Sequence, residues 1–167
     1  MTAFPDQRWG RENARLQEYL VRFSSSRLGS TTIKALTPLD RWLLRRSKGR
    51  YTTLGPFATP ILLLTATGAK SGLPRQSPLL YTRDGDCLIL VASNFGQEHH
   101  PAWSANLVAH PDVVVTMGGK DVLARAELLE GAEAEAAFQL MADAVPTYAV
   151  YRNRTDRNLR VFRLTAQ

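Results

Sequence analysis

The stretch TPILLLTATGAKSGLPRQSPLLY, residues 59–81, decides the fold that we predict for this chain. It begins with a continuous apolar run, PILLL, which has the length and composition of a buried strand. The chain then breaks at residues 67–75 and resumes as a second strand over residues 76–82. Gly68 and Gly72 in the break can adopt backbone angles that are closed to other residues. The pattern therefore predicts a β-hairpin.

The turn of this hairpin carries two cations, Lys70 and Arg75. Unpaired backbone amides beside cationic side chains favour an anionic ligand. An ordinary hairpin with two solvated charges fits the same residues equally well. The turn alone leaves both interpretations open.

More strands are predicted downstream, at residues 87–92, 112–117, 122–129 and 159–164. The Asp-Gly-Asp turn at 84–86 is a strong hairpin signal. Strands joined mostly by hairpins form an antiparallel sheet, and a sheet of about six strands with few covering helices curls into a barrel. We therefore predict a mainly β, α+β fold, a six-stranded antiparallel barrel with flanking helices.

Helical patterns occupy the start, the middle and the region before the last strand. They cover residues 11–23, 37–49, 101–109 and 133–144, the last extended or restarted by 146–151. Gly29, Ser30 and the serines at 24–26 indicate a linker. Thr37 is then expected to cap the second helix, with Pro38 at its first helical position. We divide the chain into an N-terminal helical extension, residues 1–50, and a barrel domain, residues 51–167.

The second predicted helix is basic around an apolar side that contains Leu39, Trp42 and Leu43. A basic helix of this kind can lie on an anionic lipid surface. A helix that packs on the domain and leaves its basic flank in water is the alternative, and the sequence favours it.

Composition suits one compact domain of 167 residues, with 44% hydrophobic and 22% charged residues. The net charge of +6 favours an anionic partner: nucleic acid, an acidic membrane face or an acidic small molecule. Cys87 has no second cysteine to pair with and is expected to be a buried structural thiol. No apolar run has transmembrane length and no signal-peptide pattern occurs, so we expect a cytoplasmic protein.

Several chemistries lack their sequence signatures. His99, His100 and His110 do not have the spacing of a zinc site, so no metal is expected. The Gly-x-Ser-x-Gly elbow of a hydrolase and the glycine fingerprints of nucleotide-binding loops are absent. The basic residues lack interleaved stacking aromatics, so nucleic acid is not an expected partner.

What remains is a set of polar and aromatic residues at strand ends and in loops. They are Lys70, Arg75, Ser77, Ser93, Asn94, Trp103, Asn106, Tyr148 and Tyr151. In a barrel these residues could converge on one cleft for a flat, acidic ligand. For the tryptophan and the tyrosines, packing in the core is the alternative.

Three segments resemble one known family in order and spacing. They are LLLTATGAKSGLPRQSPLLYTRDGD (62–86), LVASNFGQEHHPAWSANLVAHPDVVV (90–115) and PTYAVYRNRTDR (146–157). The sequence is similar to the deazaflavin-dependent nitroreductases, also called F420H2-dependent quinone reductases, over residues 59–164. The resemblance implies a split β-barrel like that of the FMN-binding proteins, and coenzyme F420 as the cofactor.

The resemblance also implies which residues form the site. Lys70, Ser71 and Arg75 would hold the acidic phosphate and glutamate tail of F420, and Ser77 and Pro78 would lie beside the cofactor. Ala92, Ser93 and Asn94 would contact the deazaflavin ring, and Trp103 and Asn106 would close the pocket. Tyr148 and Tyr151 would border the substrate. The implied reaction is hydride transfer from reduced F420 to a quinone or nitro compound, with Tyr148 or Ser93 donating a hydrogen bond or proton.

Two residues depart from the family pattern. Ala69 replaces a cation, which removes a charge-assisted hydrogen bond of about 1.5–3 kcal/mol. Phe95 stands where glycine is usual and narrows the loop at the ring site. These departures keep two alternatives open: an FMN-dependent oxidoreductase, and a non-catalytic barrel that binds an apolar or fatty ligand. A homodimer and association with the inner face of the cell membrane are also open.

Overall fold

The computed structural model describes residues 3–5, 27–51 and 60–167. Its helices are α1 (Arg27–Arg46), α2 (Ala102–Ala109), α3 (Gly131–Ala144) and α4 (Thr147–Arg152). Its strands are β1 (Ile61–Thr67), β2 (Pro74–Leu80), β3 (Thr82–Asp84), β4 (Cys87–Val91), β5 (Asp112–Met117), β6 (Lys120–Leu129) and β7 (Val161–Ala166). A 3-10 turn, Asn94–Gly96, follows β4. The predicted helix at 11–23 and the serines at 24–26 lie outside the described residues.

All seven described strands belong to one sheet, in the order β2-β1-β5-β6-β7-β4-β3, and every neighbouring pair is antiparallel. The two edge strands, β2 and β3, are separated along the chain by Tyr81 alone. The sheet therefore curls until its edges meet at this buried residue, whose N–H donates to the carbonyl of Pro60 at 3.1 Å. The predicted fold class is confirmed. The second predicted strand, 76–82, is divided at Tyr81, which gives seven strands instead of six.

The interior of the barrel is filled by one face of β1, β4, β5, β6 and β7, and Leu79 of β2 packs against it. In β6, Val122, Ala124 and Ala126 are buried while Leu123 and Arg125 between them are exposed, which is the alternation of a half-buried strand. A second apolar cluster lies on the outer face of β4 and β7. There α3 covers the sheet with Phe138 and Met141, at helical spacing.

The start of α1 corrects the predicted cap at Thr37. The helix begins at Arg27, so Gly29 and Ser30 are helical and Pro38 lies in its interior. Proline removes one backbone hydrogen bond there. Tertiary contacts stabilise the helix instead, because Leu44 is fully buried and Arg45 Nε donates to Gln76 Oε1 of β2 at 2.7 Å. The division of the chain at residue 50 stays a prediction.

Candidate functional site

The β1–β2 turn is closed by hydrogen bonds at Gly68. Its N–H donates to the carbonyl of Leu73 at 2.9 Å, and its carbonyl accepts from Gly72 N–H at 2.8 Å. A Cβ added to Gly68 would lie 2.6 Å from Ser71 Oγ. The side chain of Ser71 therefore occupies the space that glycine leaves and helps to close the turn.

The two cations of the turn are exposed. Arg75 Nη2 is 3.4 Å from Ser71 Oγ and donates to it, which draws the guanidinium back across the turn. Within the described part of the chain, neither Lys70 nor Arg75 lies within ion-pair distance of a carboxylate. Both charges are therefore available to an anionic ligand.

One hydrogen bond joins the turn to α2. The N–H of Ala69 donates to Asn106 Oδ1 at 2.9 Å. Trp103, three residues earlier on the same helix, packs its ring at 5.7 Å from that of Phe162 in the barrel core. The structure thus brings Lys70, Ser71 and Arg75 together with Asn106, while Trp103 is half-buried against the barrel.

The predicted pair Ser77 and Pro78 is divided between the two faces of β2. Neighbouring residues of a strand point to opposite faces. Ser77 shares its face with Leu79, which packs on the barrel core, and Pro78 shares its face with Gln76, which binds Arg45 of α1. A ligand on one face of β2 can therefore contact only one of these two side chains.

The loop after β4 has an unusual backbone. Asn94, Phe95 and Gly96 are three successive residues with positive φ, at 47°, 57° and 74°. Left-handed conformations of non-glycine residues are strained. Asn94 Nδ2 donates to the carbonyl of His99 at 3.0 Å. The rings of Phe95 and Tyr151 pack in a T-shaped arrangement, with their centroids 5.6 Å apart. Phe95 therefore packs towards α4 and ties the loop to that helix.

Ser93 and Tyr148 form a buried polar pair. Tyr148 is 5% exposed and Ser93 is 7% exposed, and their side chains are hydrogen-bonded. Burial raises the pKa of Tyr148 well above its ordinary value, the nearby Tyr151 raises it further, and the hydrogen bond from Ser93 opposes the shift. The rings of Tyr148 and Tyr151 lie 6.1 Å apart. The structure therefore brings together Ser93, Tyr148 and Tyr151, and keeps the Tyr148 phenol neutral.

Arg157 is not among the predicted site residues, although it binds the loop that contains three of them. Its guanidinium donates to the carbonyls of Ala92 at 3.1 Å, Ser93 at 2.9 Å and Gln97 at 3.2 Å. It also contacts His100 Nδ1 at 2.8 Å. The one signal in the sequence was its place at the end of the third resembling segment, where it reads as one of several basic residues.

His100 is neutral in this arrangement. Burial lowers its pKa, and the positive charges of Arg160 and Arg157 lower it further. Because arginine can only donate, Nδ1 must accept the bond from Arg157 and the ring proton must reside on Nε2. Arg160 in turn contacts the fully buried Ser104, its Nη1 lying 3.4 Å from Oγ.

One cleft lies away from the predicted residues. Its volume is about 650 Å³, and its lining includes His100, Phe138, Arg152, Arg157 and Arg160. No predicted site residue lines it. In residues 3–5, 27–51 and 60–167, no three metal-ligating side chains gather, and no helix is long and apolar enough to span a membrane.

Comparisons with known proteins agree on one family. The model of the F420H(2)-dependent quinone reductase family matches residues 39–166. An F420H(2)-dependent quinone reductase of Mycobacterium tuberculosis is 36% identical over 126 residues, which cover 74% of this chain and 85% of that protein. The solved structure of an F420-H2 dependent reductase is 42% identical, with a TM-score of 0.58, and the match covers 63% of this chain and 93% of that one. Another solved structure, described as a domain-swapped dimer, is 38% identical, with a TM-score of 0.60, over 77% of this chain and 99% of its own.

Proposed function

The chain belongs to the family of F420H(2)-dependent quinone reductases, and on that premise we propose that it transfers a hydride from reduced F420 to a quinone at the surface between the β1–β2 turn and the loop after β4. The observation that carries the location is the bond from Ala69 N–H to Asn106 Oδ1, which fixes a turn with two available cations against α2.

The donor set of the turn fits an acidic cofactor. Lys70 and Arg75 supply two exposed positive charges, and the phosphate and glutamate tail of F420 is strongly anionic. Arg75 can form two parallel hydrogen bonds with a phosphate or carboxylate, whereas Lys70 acts as a point charge. Ser71 orients Arg75 through its Oγ.

When bound, F420 supplies the hydride. The chain supplies binding and hydrogen bonds. The loop from Ala92 to Asn94 is assigned to the ring of the cofactor, and Tyr151 to the acceptor. Because burial raises the pKa of Tyr148, this phenol is a poor proton donor, and its role with Ser93 is to donate or relay a hydrogen bond.

Titration of the purified protein with F420 and, separately, with FMN tests the cofactor assignment. We expect quenching of deazaflavin fluorescence at micromolar protein and no comparable binding of FMN. Absence of F420 binding would contradict the proposal. Binding of FMN alone would support the alternative flavin enzyme.

A paired substitution, Lys70→Ala with Arg75→Ala, tests the location. Two exposed charge pairs contribute about 1 kcal/mol each, so affinity for F420 should fall about 10- to 30-fold at low salt and much less at high salt. The matched control is Lys120→Ala with Arg125→Ala on β6, which removes the same charge elsewhere. Equal losses from both pairs would show a general charge effect and not a site.

The proposal also covers the hydride acceptor and the oligomeric state. Quinones are the expected acceptors, and activated nitro compounds are a further class that single-turnover oxidation of bound F420H2 can compare. One similar structure is described as a domain-swapped dimer. We propose that this chain also forms a homodimer, which light scattering at several concentrations would show or contradict.

We further propose that the enzyme is cytoplasmic and that α1 contacts the anionic inner face of the membrane. Trp42 is 60% exposed and Leu39 50% exposed, three residues apart on one side of the helix, and Arg45 and Arg46 stand at its end. Co-sedimentation with vesicles containing phosphatidylglycerol should exceed that with phosphatidylcholine vesicles. The substitution Trp42→Ala should reduce it, and equal binding to both lipids would contradict the proposal.

A further inference from the structure

Arg157 uses most of its N–H groups to bind the backbone of one loop. A guanidinium has five N–H groups. Three bonds go to main-chain carbonyls, those of Ala92, Ser93 and Gln97, at 2.9–3.2 Å. The partners lie at both ends of the strained turn, so one planar group spans it.

The hydrogen bond from Arg157 to the carbonyl of Ser93 sets the direction of the Asn94 N–H, which belongs to the same peptide group. In a trans peptide the carbonyl and the N–H point in opposite directions. Because the carbonyl of Ser93 points to Arg157 at 2.9 Å, the N–H of Asn94 points away from it. That N–H has no acceptor among the residues that the structure describes, whereas the amides of Ala92, Ser93, Gly96 and Gln97 are bonded.

The strain of the loop explains why an anchor is needed. Residues held in sparsely populated conformations cost about 1–3 kcal/mol each and persist only when their surroundings determine them. Asn94 and Phe95 are two such residues. The local bonds, from Gly96 N–H to the carbonyl of Ser93 and from Gln97 N–H to that of Asn94, also form in an ordinary turn. The guanidinium adds three bonds from outside the loop to the contacts of the Asn94 side-chain amide and the Phe95 ring, and together they hold this conformation.

His100 holds the guanidinium in its plane. Its Nδ1 accepts from Arg157 Nη1, which also donates to the carbonyl of Ala92. A lysine at 157 carries its three donors on one nitrogen and cannot span partners at both ends of the loop.

We propose that Arg157 is a positioning residue for hydride transfer: it fixes the loop after β4 so that the N–H of Asn94 is presented as a hydrogen-bond donor to the bound deazaflavin. This inference rests on the proposed function. In this role Arg157 acts through the loop and does not itself contact the cofactor.

Hydrogen exchange in the absence of cofactor tests the first half. In Arg157→Ala the amides of Gly96 and Gln97 should exchange at least tenfold faster, while amides of β1 and β5 stay unchanged. The matched control is Arg163→Ala, which removes a guanidinium that pairs with Asp84 and Glu127 on the sheet surface. Exchange in Arg157→Ala that equals the wild type would overturn the inference.

Cofactor binding and turnover test the second half. F420 should slow exchange of the Asn94 amide in the wild type. In Arg157→Ala, F420 affinity and kcat should each fall about tenfold, and added guanidinium should restore part of both. Arg157→Lys keeps the charge and should show the same defect if Arg157→Ala does not fold. Wild-type kinetics in Arg157→Lys, or no slowing at Asn94, would overturn the inference.

The two proposals fail in different ways. If the wild type does not bind F420, the proposed function is wrong and this inference falls with it. If the wild type binds F420 and the Arg157 variants bind and turn over equally well, only this inference is wrong.

Discussion

The β1–β2 turn and the loop after β4 are the two halves of the proposed site, and different contacts hold them. The turn is exposed and closes on itself through Gly68, Ser71 and Leu73, all within one short segment. The loop is half-buried and depends on Arg157, which lies 60 to 65 residues further along the chain. An element that is stabilised locally tolerates change around it. An element that is stabilised from a distance does not.

The largest difference in stability is expected between alanine substitutions at two glycines that both have positive φ. Gly96 has φ of 74°, and a Cβ there would lie 2.8 Å from the carbonyl oxygen of Tyr151. Gly72 has φ of 66°, with nothing within 4 Å of its added Cβ. Gly96→Ala should therefore cost about 3 kcal/mol and Gly72→Ala about 1 kcal/mol, because only the first adds a clash to the left-handed strain.

Urea unfolding of both glycine variants measures this difference in the free energy of unfolding. Equal costs would mean that the loop yields as easily as the turn. The comparison between the two halves of the site would then be wrong.

The hydrogen bond between the turn and α2 gives the next effect. Asn106→Leu removes the acceptor for Ala69 N–H, which should cost about 1 kcal/mol of stability and lower F420 affinity about fivefold. Asn106→Asp keeps an oxygen acceptor and serves as the control. If the leucine variant binds F420 like the wild type, the turn needs no support from α2.

Replacing Ala69 with arginine should strengthen F420 binding. Its side chain is exposed and its bond to Asn106 uses the backbone, so Ala69→Arg leaves that bond in place. Affinity for F420 should rise about threefold at low salt, since an exposed charge pair contributes less than about 1 kcal/mol. Ala69→Gln is the neutral control, and a gain that persists at high salt would argue against an ionic contact.

The smallest effect concerns the pH dependence of the loop. The folded chain keeps the pKa of His100 below its ordinary value of 6.5, so the unfolded chain binds this proton more readily. Stability should therefore fall as pH drops below about 6.5, until the folded ring also takes up a proton. In His100→Gln, which retains an acceptor, this part of the pH dependence should disappear. An unchanged slope in unfolding measurements at pH 7 and pH 5 would show that His100 does not contribute.

Local patterns predicted the β1–β2 turn and most of the barrel. Lys70, Arg75 and the glycines of the turn lie next to one another in sequence, so their geometry follows from residue type. Arg157 could not be found this way, since its partners are main-chain carbonyls, which every sequence offers. The predicted start of α1 at Thr37 was wrong for a related reason. Leu44 and Arg45 stabilise the helix through contacts with the sheet, whereas the sequence offered only Pro38 as a sign of the N-terminal end. The division of the second strand at Tyr81 reflects closure of the whole sheet.

The position of β7 affects how the barrel assembles during synthesis. Residues 161–166 lie between β6 and β4 in the sheet, although β4 leaves the ribosome some seventy residues earlier. Until β7 arrives, β4 has only the three-residue β3 as a partner and its other edge is open. Pairings of such long sequence separation form slowly, and open strand edges invite association with other chains. A nascent chain stalled before Val161 is thus expected to be the species most prone to aggregate, and the one on which chaperones act.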